Sequence, residues 1–197
     1  MKSIIIGLAI ATVSFTACNS NDQKSANDHV GMHTDSTTMH QHTDTTSATA
    51  NAGVSIKEIL TGYLQLKNAL TTDNSKGAAA AGTALEATFK NYNKTVLSAE
   101  QKKLFEDIEA DAREHAEHIG ANAGNLAHQR VHFEMLSKDM VDLLKAFGSS
   151  GQIVYKDFCP MYNDNKGAFW ISETKDIKNP YLGKAMPTCG TMKEEIK

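Results

Sequence analysis

The chain has 197 residues, a net charge of −3 and a hydrophobic content of 41%. A weakly acidic balance offers no field for nucleic acid, and no stretch beyond the first 18 residues is apolar and long enough to span a bilayer. No nucleophile–base set, glycine-rich phosphate loop or paired-carboxylate motif stands out, so no enzymatic activity is expected.

Lys2 is followed by an apolar run from Ile4 to Phe15, shorter than the roughly 20 residues a membrane helix needs. A positive start, a short apolar stretch and small residues after it make a secretory signal. It ends in Phe15-Thr16-Ala17-Cys18, which resembles a bacterial lipobox, although Phe15 stands where Leu is usual. Residues 1–18 are therefore expected to form a lipoprotein leader, with Cys18 carrying the lipid. Asn19, rather than Asp, favours the outer membrane, with the protein facing the periplasm. The alternative is an ordinary signal peptide with a chance cysteine.

Residues 19–53 are mostly Ser, Thr, Asn, Asp, His and Ala, with one Val and no Leu, Ile, Phe, Tyr or Trp. Such a segment buries too little apolar surface to offset its conformational entropy, and is expected to be a disordered tether. It carries His29, Met32, His33, Met39, His40 and His42, six imidazole or thioether groups within 14 residues. Met39-His40-Gln41-His42 resembles the His/Met-rich tails of periplasmic copper proteins. Flexible tracts of this kind collect copper without fixed geometry, with imidazole also open to zinc or nickel. Compositional drift in a solvated linker is the plainer reading.

Residues 54–197 suffice for one domain with a core. Ser55 and Glu58 make a capping-box pattern ahead of Ile56, Ile59, Leu60, Tyr63, Leu66 and Leu70 at helical spacing. Thr72-Asp73-Asn74 breaks this helix. A second, Ala-rich helix carries Leu85, Phe89 and Tyr92. Ser98 with Gln101 opens a third, with Leu104, Ile108 and Ile119 on one face, and Gly120–Gly124 is the expected break. A fourth runs from about Asn125 to Phe147, with Gly148 where a C-terminal cap belongs. The expected fold is mainly α: a four-helix antiparallel bundle, followed by a small irregular or β segment with strands at 153–155 and 168–171.

Two histidine pairs sit at helical spacing, His115/His118 at i, i+3 and His128/His132 at i, i+4, each on one helix face. Two imidazoles at i, i+4 can share a metal, yet surface or interhelical histidines are the plainer reading. In the C-terminal segment Cys159-Pro160-Met161 and Met186-Pro187-Thr188-Cys189 each pair a thiol with a thioether. Soft sulfur donors select Cu(I) over hard cations, and the two pairs converge if the chain reverses at Asn179-Pro180, where Pro180 biases its neighbour away from helix. A Cys159–Cys189 disulfide is the competing reading. It would close a loop of about 30 residues and contribute roughly 3–4 kcal/mol. His118 and His132 are candidates to complete the sulfur site.

Gln129-Arg130, Phe133, Leu136-Ser137, Val154-Tyr155, Cys159-Pro160-Met161, Asn165, Gly167-Ala168, Trp170, Ser172, Asn179-Pro180-Tyr181, Gly183, Met186 and Cys189-Gly190 together resemble one domain family. That family is of unknown function, found in exported lipoproteins of Gram-negative bacteria and appended to periplasmic adaptor subunits of copper and silver efflux pumps. The resemblance spans residues 55–195, and the C-P-M to C-G block is its most specific part. It implies a heavy-metal context, with Cys159, Met161, Met186 and Cys189 as ligands for copper, or for silver or zinc. An efflux adaptor is the implied partner. A disulfide-stapled interaction module docking on an envelope partner is the alternative.

Lipidation at Cys18 has a direct check. Cys18→Ala is expected to release the protein into the soluble fraction or to leave its precursor uncleaved. Mature variant that still sediments with membranes would contradict a lipid anchor at this residue.

Overall fold

The structure is a computed structural model that describes residues 55–197. The leader, Cys18 and the His/Met-rich tether with His29, Met32, His33, Met39, His40 and His42 lie outside the described residues.

Four long helices pack in sequence order: α1 (Lys57–Thr71), α2 (Ser75–Lys90), α3 (Ala99–Ala121) and α4 (Leu126–Phe147). The mainly α architecture expected from periodicity is present. Its core is built from Ile56, Leu60, Tyr63, Leu66, Leu70, Leu85, Phe89, Phe105, Phe133, Leu136 and Met140, all fully buried. No helix among the described residues is long and apolar enough to cross a membrane.

The helix ends show which local signals prevailed. Ser98 and Gln101 form the reciprocal capping box at the start of α3. Asn74 and Asn125 cap α2 and α4 by accepting from Gly77 N and His128 N, and Gly148 (φ 73°) closes α4. The Ser55–Glu58 box does not form. Ile56 occupies the N-cap with no side-chain cap, and its N–H donates to Ser150 Oγ at 2.9 Å. Ile56 is fully buried, so packing against the loop after α4 sets this entry, not a local box.

The buried stripe of α3 also differs from the expected one. Phe105, Glu109, Ala112, Ala116 and Ile119 face inward, while Leu104 is 45% exposed. Small residues govern this face. A Cβ on Gly82 would lie 2.9 Å from Ala116 O, and one on Gly120 would lie 2.6 Å from Thr83 Oγ1, so α2 and α3 approach more closely than larger residues permit. Gly120 thus serves inside the helix, and the break falls after it, at residues 122–125.

After α4 the chain forms an antiparallel sheet in the order β2-β1-β3, from β1 (Val154–Cys159), β2 (Ala168–Ser172) and β3 (Thr191–Ile196). Between β1 and β2 lies a one-turn helix, α5 (Tyr162–Asn165), in which Asn163, Asp164 and Asn165 take φ values of 54°, 53° and 64°. Asn and Asp tolerate this left-handed region best among residues with a Cβ. β3 was not expected from sequence. Its Thr-Met-Lys-Glu-Glu-Ile run is almost wholly exposed and lacks a buried alternation to mark it.

The sheet is tied to the bundle by buried hydroxyls. Ser137 Oγ donates to Phe133 O at 2.7 Å, so its lone proton is used, and Tyr63 Oη donates to Ser137 Oγ at 2.8 Å. Tyr63 Oη in turn accepts from Ile171 N in β2 at 3.1 Å. Tyr181 Oη donates to the Phe169 carbonyl. Arg130 on α4 donates to Pro180 O (2.9 Å), Leu70 O (3.3 Å) and the Asp73 carboxylate, fastening the C-terminal segment to the α1–α2 turn.

Asp157 on β1 is fully buried, and neither carboxylate oxygen has a hydrogen-bond partner. Burial pushes its carboxyl up to about 7, with Lys67 pulling the other way. Between the ordinary carboxylate range and about 7, the folded chain holds this proton more tightly than the unfolded chain, so the group's contribution to stability falls as pH rises through that window. Asp157→Asn is therefore expected to exceed the parent in stability by about 1–3 kcal/mol above pH 7, with the advantage shrinking toward about pH 4. Urea unfolding of both proteins at the two ends of the window checks this. An equal difference at both ends would show that the carboxyl is not the cause.

Candidate metal centre

Two clusters of metal-capable side chains emerge, on different elements. The first joins the ends of the C-terminal segment. Cys159, the last residue of β1, is buried, and its Sγ lies 3.3 Å from Cys189 Sγ. Both cysteines are free thiols. The reversal that brings them together is built on Asn179. Its Oδ1 accepts from Tyr181 N (2.8 Å) and Leu182 N (2.9 Å), its backbone N–H donates to Pro187 O (2.8 Å), and its Nδ2 donates to Cys189 O (2.6 Å). Asn179 is fully buried, so this turn is held on every side.

The two methionines expected as donors sit at the same corner. Cys189 N donates to Met186 O at 3.2 Å, and the Met161 backbone amide engages the Cys189 sulfur. The side chains of Met161 and Met186 are 50% and 39% exposed, so neither serves as core filler. Burial, then the neighbouring Cys159 sulfur, push the Cys189 thiol up, against the pull of the Met161 amide. The Cys189 thiol is thus protonated at neutral pH, and a metal would have to displace its proton to bind the sulfur.

The second cluster lies across the α3–α4 hairpin. His118 and His132 were candidates to complete the sulfur site. They meet each other instead, rings stacked at 4.3 Å and 6°. His128 joins them, with ring centroids 4.6 Å from His132 and 6.0 Å from His118. One ligand atom from each of the three comes within 4.8 Å of the others, and neither cysteine belongs to this group. Gln129 sets this alignment. Flanked by the α4 histidines, it is fully buried, and its Nε2 donates to Ile119 O (3.1 Å) beside His118 and to Ser75 O (3.0 Å). Ser75 Oγ completes the lock by donating to Gln129 Oε1 at 2.8 Å.

Behind the three lies His115, whose Nδ1 is 3.4 Å from His132 Nδ1. Its Nε2 is 4.0 Å from Asp139 Oδ2, an oxygen with no hydrogen-bond partner. Burial, with Asp111 and Asp142 adding to it, pushes the Asp139 carboxyl up to about 7. Burial, then the positive charge that His118, His128 and His115 would bring, push His132 down to about 4. His132 therefore resists protonation and keeps an imidazole lone pair free. The spacing within each pair was visible in the sequence. That the pairs face each other, and that Asp139 stands behind them, required the hairpin.

Comparisons with known proteins are sparse. Residues 59–152 match the model of a family described as a protein of unknown function (DUF3347). No curated protein and no solved structure matches the chain. The matched stretch runs from within α1 to just past α4, and so carries all four clustered histidines. Cys159, Met161, Met186 and Cys189, on which the resemblance leaned most, lie beyond it.

The charge coupling in this cluster is measurable. Histidine NMR titration is expected to place the His132 midpoint near 4, and His118→Ala should move it upward by removing a like charge. A His132 midpoint at the ordinary imidazole value would show that the rings do not crowd one another.

Proposed function

We propose that this protein is an exported, lipid-anchored metal-binding protein of the cell envelope. It holds copper as Cu(I) at Cys159 and Cys189, with Met161 and Met186 as thioether donors, for detoxification or for transfer to an efflux system. The observation that carries this reading is the 3.3 Å approach of two free thiols 30 positions apart, at a corner that also gathers two exposed methionines. Thiolate and thioether are soft donors, and Cu(I) is the soft ion of an envelope that also holds zinc and magnesium. In this reading Cys18 anchors the chain, the tether captures ions, and the folded domain holds them.

One other reading draws on the same observation. Disulfide sulfurs sit about 2.05 Å apart, so a modest movement would turn the pair into a staple, leaving an interaction module. A free-thiol count on protein isolated from the envelope separates the two, because a copper site requires reduced cysteines.

Titration of the reduced full-length protein with Cu(I) is the main test. Met161→Leu with Met186→Leu roughly conserves volume and apolarity, so stability should change by less than about 1.5 kcal/mol. Loss of thioether ligands should weaken Cu(I) binding at least about tenfold, roughly 1.4 kcal/mol. Unchanged affinity in the double variant would remove the methionines from the site. Deleting residues 29–42 should lower the number of bound copper ions while leaving thermal unfolding nearly unchanged, since Val30, Met32 and Met39 are the only sizeable apolar side chains it could bring to a core.

A further inference from the structure

We propose that His118, His128 and His132 form a second metal centre, chemically distinct from the sulfur pair. It would take a borderline divalent cation of the zinc class on three imidazole nitrogens, with a fourth position open to water.

The ligands come from the two helices of one hairpin, His118 near the C-terminal end of α3 and His128 and His132 in the first two turns of α4. Their nitrogens lie within 4.8 Å of one another. Tetrahedral zinc with bonds of about 2.0–2.1 Å needs nitrogens about 3.3 Å apart. The remaining contraction falls to side-chain rotation, for which His118, 45% exposed, has room on its solvent side. Backbone movement is not needed, because Gln129 already holds the two helix ends in place.

His132 also has the outer support that metal-bound histidines carry. Such a ligand uses one nitrogen for the metal and gives the other to a polar neighbour that orients the ring. The contact from His132 Nδ1 to His115 occupies one nitrogen and leaves Nε2 for the ion. His115 in turn faces Asp139, whose unpartnered oxygen would offset part of the added positive charge. Without an ion, four imidazoles crowd one face with no charge complement among themselves. All the ligands are nitrogen, which suits zinc, Cu(II) or nickel better than Cu(I). Three protein ligands beside an exposed edge leave the fourth position to solvent, as in zinc sites that keep an open coordination place.

The test reads thermal unfolding of the full-length protein with and without Zn(II). An ion held between two helices of the folded state stabilises it, whereas an ion held only by donors close together in sequence, as in residues 29–42, would bind folded and unfolded chains alike. Saturating zinc is expected to raise Tm by about 5 °C or more, reversibly with chelator. His118→Gln and His132→Gln should each abolish most of that rise. His118→Gln should shift the zinc-free Tm far less than zinc does in the parent, since the His118 side chain is 45% exposed. Cys159→Ser with Cys189→Ser should retain the zinc rise, which separates this centre from the sulfur site. No rise, a rise that survives both histidine substitutions, or a rise lost with the cysteines would overturn the proposal.

Discussion

The hydroxyl chain of Tyr63, Ser137 and Tyr181 is the constraint on which the C-terminal half of the domain depends. Ser137 spends its proton on the α4 backbone, Tyr63 spends its own on Ser137, and Tyr63 accepts the β2 amide of Ile171. Tyr181 spends its proton on the carbonyl of Phe169, two residues before that amide. Burial pushes both phenols well above their ordinary range, so these donors stay protonated at any physiological pH. A satisfied polar network in a low-dielectric interior fixes one arrangement, because any other leaves a buried group unpaired. Through Tyr181 the constraint reaches Asn179, and through Asn179 it reaches Cys189. The meeting of the two thiols is thus set by a hydroxyl cluster inside the bundle as much as by the cysteines themselves.

A comparable lock serves the histidine face. Gln129 satisfies its amide between α2, α3 and α4, and its place between His128 and His132 turns both rings toward α3. Glycine and alanine on the facing sides of α2 and α3 fix the distance of α3 from its other neighbour. The two clusters differ in chemistry. One is a thiol pair at a turn, the other an imidazole group on a rigid hairpin. In the proposed reading they would sort a soft monovalent ion from a borderline divalent one by donor type, since raw affinity alone discriminates poorly among such ions.

Helices were legible because their signals are local. The Ser98–Gln101 box, Asn125 and Gly148 each act on backbone groups within four residues, so spacing in the chain already states the contact. Signals failed where a distant partner outbid the local one. The Ser55–Glu58 box gave way to an entry in which buried Ile56 is the N-cap and its amide donates to Ser150, 94 positions along the chain from Ile56. Leu104 was misplaced because Phe105 offered the larger side chain to a core whose orientation the sequence does not print. β3 was silent because an exposed edge strand needs no alternation, and its pairing with β1 is a backbone matter.

The same division runs through the candidate sites. The sequence determined the donor types: two Cys/Met pairs, two histidine pairs at helical spacing, and a turn at Asn179-Pro180. Those follow from residue chemistry and from the fixed periods of helix and chain reversal. Only the tertiary structure decided the company each donor keeps. It joined Cys159 to Cys189 across the reversal, and it drew His118 and His132 away from the sulfurs and toward His128, His115 and Asp139. The reason is that side-chain convergence depends on how helices rotate about their axes and where the sheet docks. Those are set by Gly82, Gly120, Gln129 and the buried hydroxyls, residues whose partners lie far along the chain.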